Sequence, residues 1–149
     1  MNYFELFALP VSFRIDESAL LRSYLQKQSS VHPDVAGAES GESSLLNSAY
    51  KTLADPAERA KHFLEVRGKK VDLPASEFAA EMFDLREKYE SLVSPREREE
   101  FRLKLSERFS DLTRILYDLE DNADEFAKYY GLLRFIRSFL DKFNVYCGN

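Results

Sequence analysis

The sequence predicts an all-α protein built as two helical domains. Apolar residues recur at three- and four-residue spacing along successive segments of the 149-residue chain, which is the period of a helix face buried against a neighbour. Helix-start signals precede several of these segments: Asp16-Glu17, Ser94-Pro95-Arg96-Glu97, and Asn122 with Glu125. One stretch, Lys69 to Pro74, has no helical period and contains a proline. It reads as a linker, so the domains are placed at residues 1–70 and 76–149, with 71–75 between them.

In the first domain, Tyr3, Phe4, Leu6 and Phe7 predict a short aromatic helix that stops before Pro10. So few turns are marginal alone and need packing to hold them. Asp16 is the expected N-cap of the next helix, with Leu20, Leu21, Tyr24, Leu25 and Val31 as its inward stripe and Arg22 and Lys27 off it. A loop from Ala36 to Glu42 follows, holding two of the five glycines. Leu46, Ala49, Tyr50 and Leu53 then mark a helix from Ser43, and matching stripes across one loop predict an antiparallel hairpin. After Asp55-Pro56, Ala57 to Leu64 predicts a further helix that closes toward Gly68.

The second domain reads as three long helices with short connections, hence a three-helix bundle. The expected core positions are Phe78, Met82, Leu85, Tyr89 and Leu92 on the first helix. On the second they are Phe101, Leu105, Phe109 or Leu112, Leu116 and Leu119. On the third they are Tyr129, Leu133, Ile136, Leu140 and Phe143. Two helices carry more apolar side chains than one seam needs. Ala79, Phe83 and the stem of Arg86 lie off the first seam, and Leu132, Phe135 and Phe139 form a second stripe on the third. These surplus residues fit either a wide core face or a partner patch rimmed by Asp84, Glu87 and Glu90.

Composition narrows the function classes. A net charge of −5 with interspersed signs lacks the basic footprint of a nucleic-acid binder. No apolar run reaches the length of a membrane span, and the first residues lack a secretory pattern. The single cysteine, Cys147, excludes an internal disulfide and a cysteine-based metal cluster, which points to a reducing, cytoplasmic setting. No cofactor is expected.

The polar knob of the first domain is His32-Pro33-Asp34, between the two helices of the hairpin. A short aromatic helix, an amphipathic helix, this tripeptide and then Leu45-Leu46-Asn47-Ser48-Ala49-Tyr50-Lys51-Thr52-Leu53 resemble the J-domain of Hsp40-type co-chaperones. With the linker and bundle added, the chain is similar to the HscB-type co-chaperones of iron–sulfur cluster assembly. Further matching stretches are Tyr3-Phe4, Leu6-Phe7, Leu9-Pro10, Arg59-Ala60, Glu81, Leu85-Arg86-Glu87 and Leu133-Arg134-Phe135.

That resemblance implies a non-enzymatic adaptor that stimulates the ATPase of an HscA-type Hsp70 and brings it an IscU-type scaffold protein. It assigns Hsp70 contact to His32, Pro33, Asp34, Arg22 and Lys27, and scaffold contact to Ala79, Ala80, Phe83, Asp84, Arg86, Glu87 and Phe135. Phe83 and Phe135 are expected side by side on the outside of the bundle. Ala79 and Ala80 stand where that family has larger apolar residues, and Val35 stands where a lysine is common. Ser29 and Ser30 leave the second helix with little positive charge, and no amino-terminal cysteine pairs are present, as in bacterial-type members. Two other readings stay open: a J-protein serving a different client, and a hydrolase or metal site using His32 with Asp34 or His62. Against the latter, no second base or ligand set is spaced near His32.

Overall fold

Most of the helices begin where a side chain accepts hydrogen bonds from otherwise unpaired backbone N–H groups. The computed structural model describes residues 1–31, 41–71 and 76–147. Among them are seven α-helices: α1 Tyr3–Leu6, α2 Glu17–Ser30, α3 Gly41–Ala54, α4 Pro56–Val66, α5 Ala79–Ser91, α6 Pro95–Asp118 and α7 Ala123–Cys147, with a 3-10 turn at Ser76–Phe78. Asp16 caps α2, Asp55 caps α4, Ser94 caps α6, and Asn122 accepts from Glu125 N–H in the first turn of α7. His32, Pro33 and Asp34, Val35, residues 36–40 of the expected loop and residues 72–75 of the expected linker lie outside the described residues. The fold is all-α, and the chain divides into two compact units, Met1–Gly68 and Lys69–Asn149.

In the first unit α1 is shorter than the aromatic pattern suggests. It ends at Leu6 because Ala8 takes a left-handed backbone, φ 56°, and closes the helix. Leu9 N–H donates to the Phe4 carbonyl and Ala8 N–H to that of Glu5, the two bonds of a Schellman turn. At the other end Asn2 and Glu5 form a reciprocal capping box. A further free donor, Tyr3 N–H, is taken by His62 Nε2 of α4 at 3.1 Å. The His62 ring also stacks on Tyr3 (4.5 Å between centroids) and Phe4 (5.5 Å).

Helices α2 and α3 pair antiparallel, since Tyr24 meets Asn47 while Gln28 reaches back to Ser43. Tyr24 stacks on Tyr50 at 4.4 Å. Only Leu20 of α2 is fully buried. Leu21 and Leu25, expected on the inward stripe, are 42% and 56% exposed. The contact line of α2 runs through Tyr24 and Gln28, and it leaves those leucines beyond its edge.

Arg59 lies inside the first unit, 1% exposed among Phe4, Phe7, Phe13, Leu53, Phe63 and other core residues. Its Nε donates to the Phe13 carbonyl at 2.8 Å and its NH1 group to the Leu53 carbonyl at 2.7 Å. The guanidinium also lies over the Phe13 ring.

In the second unit α6 and α7 form an antiparallel hairpin, with Phe101 against Phe143 and Arg137 over Phe109. Leu105, Leu112, Leu116, Phe126, Leu133 and Ile136 are fully buried. Leu132 and Phe139 are buried as well, at 0% and 4% exposure. The second stripe of α7 is thus largely core, because α7 faces two helices at once. Helix α5 runs parallel to α7, with Phe78 on Tyr129 and Tyr89 on Phe139 and Phe143. No residue within α5 is fully buried, and its N-cap, Phe78, provides no side-chain hydrogen bond.

Two predictions follow from the first unit. Arg59→Met would remove a charged donor from two buried carbonyls, at a cost of about 3 kcal/mol or more; urea unfolding measures it, and a loss below about 1 kcal/mol would show that water or another donor replaces the guanidinium. The second concerns pH. Burial is the main cause that pushes His62 below its ordinary value of 6.5, with Glu65 opposing. Protonation also removes the lone pair that accepts from Tyr3. The folded chain therefore takes this proton less readily than the unfolded one, so the contribution of His62 is whole above pH 6.5 and is lost as pH falls through the lower folded value. Between about pH 7.5 and about pH 5.5 the wild type should lose more stability than His62→Phe; equal losses would remove His62 from the account.

Candidate functional site

The sequence points to two surfaces, one on each unit. Of the candidate surface on the first unit, the described residues are those of the helix that leads to the tripeptide. Helix α2 ends at Ser30, with Val31 N–H closing onto the Lys27 carbonyl. Arg22 is exposed and Lys27 partly so. Five residues apart on a helix, their side chains leave the axis about 140° from one another. The structure does not gather them into one basic patch. The exposed part of α2 that does form a row is apolar: Leu21 and Leu25, one turn apart and next to Arg22. Their exposure was not legible from spacing, because a stripe's edge depends on what stands opposite.

On the second unit the candidate residues share the outer side of α5. At 100° per residue, Ala79, Phe83 and Arg86 fall in one sector, and Ala80, Asp84 and Glu87 in the next. All six are exposed, Phe83 to 63%. Arg86 is at the α7 edge of this face, its guanidinium 5.7 Å from the centroid of the Phe135 ring. Phe135 is half-buried and meets Phe139 edge-on at 5.1 Å. The structure thus brings α7 to this face through Phe135 and Arg86, with Phe83 one turn before the arginine.

Asp84 is at the opposite edge, lining a cleft of about 560 Å³ between α5 and α6. Leu85, Phe101 and Leu105 supply apolar lining to that cleft, and Glu81 and Arg108 meet across it. The Arg108 guanidinium donates through Nε and NH2 to the two carboxylate oxygens of Glu81, at 2.8 and 2.9 Å. Nothing in the sequence pairs these residues, which are 27 positions apart.

The start of α5 is held by charge. Lys128 of α7 lies between Glu125 and Glu77 of the 3-10 turn, 3.0 Å from each. Hydrogen bonds first to Glu125 and then to Glu77 raise the lysine above its ordinary range. Lys69 pairs with Asp124 and keeps that carboxyl below its ordinary range. Among the described residues no group of three His, Cys, Asp or Glu side chains could hold a metal ion, and no helix is long and apolar enough to cross a membrane. The imidazole of His62 is engaged with α1.

No family model matches the chain. It is similar to a protein of Shewanella amazonensis named co-chaperone protein HscB homolog, 43% identical over 46% of this chain and 44% of the relative. A protein of the same name from Aliivibrio salmonicida is 33% identical over 74% of this chain and 72% of the relative. The match to the Shewanella protein thus spans less than half of that protein's own length. The solved chaperone HscB from Vibrio cholerae shares the fold at a TM-score of 0.77 and 29% identity, over 95% of this chain and 94% of that one.

The positions of the two phenylalanines predict different costs of removal. Phe83→Ala should change stability by no more than about 0.5 kcal/mol, as at other surface sites. Phe135→Ala loses an aromatic pair and a cation–π contact and should cost about 1–2 kcal/mol. Urea unfolding of both variants checks this, and equal costs would contradict the burial difference.

Proposed function

The chain belongs to the HscB family of co-chaperones, and we propose that it acts as a non-enzymatic adaptor with one partner for each unit. In this reading the first unit is a J-domain. His32, Pro33 and Asp34, with Arg22 and Lys27 of α2, engage an HscA-type Hsp70 and stimulate its ATP hydrolysis. The outer side of α5 and the adjoining Phe135 carry an IscU-type scaffold protein to that chaperone during iron–sulfur cluster maturation or transfer.

The observation that carries the reading is Phe83. A large ring exposed to 63%, on a helix that contributes no fully buried side chain, serves no purpose in the core. It has the character of an aromatic anchor awaiting a partner. Exposed Asp84 and Glu87 beside it supply a charged rim. Exposed alanines at positions 79 and 80 leave the patch shallow next to the ring. That feature also favours a second reading, in which the client is a protein other than a cluster scaffold.

The test measures Hsp70 ATPase and scaffold binding on the same proteins. His32→Gln and Asp34→Asn should abolish stimulation while leaving scaffold affinity and thermal midpoint unchanged. Phe83→Ala should weaken scaffold binding by about 1–3 kcal/mol, whereas Asp84→Asn and Glu87→Gln should chiefly alter association rate and its salt dependence. Normal stimulation by both tripeptide variants would sink the Hsp70 assignment. Tight binding of Hsp70 without any scaffold binding would favour the other client.

A further inference from the structure

Helix α5 presents the proposed partner face, yet little apolar packing fixes it in place. None of its own residues is fully buried, and its first turn lacks a side-chain cap. Its inward residues Met82, Leu85 and Tyr89 are only half-buried. A cleft of about 560 Å³ separates part of it from α6, so close packing does not define the spacing there. What spans that gap is the Glu81–Arg108 pair, two-pronged at 2.8 and 2.9 Å, with both side chains about one-third exposed.

The geometry of this pair is directional. A planar guanidinium meeting both oxygens of a carboxylate fixes orientation as well as distance, which a single ion pair does not. Glu81 leaves α5 on the side facing α6, about 160° around the helix from Phe83. Holding Glu81 therefore sets the rotation of α5 and with it the direction in which Phe83, Ala79 and Glu87 point.

We infer that Arg108 is a positioning residue for partner binding: from α6, off the partner face, it holds α5 in the rotation that presents that face. This rests on the proposed scaffold surface. A helix that spends part of its time in another rotation binds its partner with an affinity reduced by the competent fraction. Removing Arg108 lowers that fraction without removing any partner contact.

The test uses the full chain, a purified IscU-type scaffold protein, and the variants Arg108→Gln, Glu81→Gln and the exchange Glu81→Arg with Arg108→Glu. Each single variant should weaken scaffold binding about threefold to fivefold, the equivalent of losing one part-exposed ion pair. The amides of α5 should exchange with solvent faster while those of α6 and α7 do not, and the thermal midpoint should stay nearly constant. The charge exchange should restore both affinity and protection. Unchanged affinity or unchanged α5 exchange in Arg108→Gln overturns the inference, as does an exchange variant that restores neither. If the wild type itself binds no scaffold, the proposed function fails instead, whereas the effect of Arg108 on α5 exchange still reports whether the pair holds the helix.

Discussion

The first unit depends on a guanidinium placed where an apolar side chain would be expected. Arg59 is reached by the helix that follows Asp55-Pro56, and its two carbonyl acceptors belong to segments far apart in the chain: Phe13, before α2, and Leu53, at the end of α3. Both are backbone groups where regular helical pairing gives out, and a buried carbonyl there is stabilised by a donor from elsewhere in the chain. One planar cation supplies both and joins three segments. The aromatic rings around it then pack on a fixed frame, which is how a helix as short as α1 holds against α4.

The second unit divides labour between its helices. The α6–α7 hairpin holds the buried leucines and phenylalanines, and α5 lies on it through aromatic edges and charge. A helix attached in this way can leave a phenylalanine in solvent at little cost to folding, because the core does not need it. The same arrangement makes its orientation depend on a few directional contacts, Glu77 with Lys128 at its start and Glu81 with Arg108 along its side. Stability and the proposed recognition are thereby carried by different residues of one small domain.

Much of this was legible in the sequence, for local reasons. Asp16, Ser94 and Asn122 read as caps because a short acceptor side chain before an apolar period satisfies N–H groups only a few positions away. Even there a detail differs: the Glu97 carboxylate accepts from Val93 N–H, one residue before the cap. What escaped depends on neighbours distant in the chain. Leu25 and Leu132 both extend an apolar stripe, yet one is 56% exposed and the other 0%. The difference is set by how many helices stand opposite, which periodicity does not encode. Arg59 and Arg108 look like ordinary surface cations in a chain that is 32% charged. Only the fold distinguishes the one sealed in the core from the one bridging a cleft.

The absence of buried side chains from α5 also bears on how such a protein changes over generations. Core positions tolerate few substitutions, since each altered volume must be absorbed by surroundings already close-packed. The outward positions of α5 carry no such restriction. If they form the proposed partner face, Ala79, Ala80 and Phe83 can change together with the partner's surface while the fold stays intact, so partner preference and foldability can evolve on separate schedules. A shallow pair of alanines beside a protruding ring is then one setting of an adjustable surface, mounted on a hairpin whose close packing leaves little room for change.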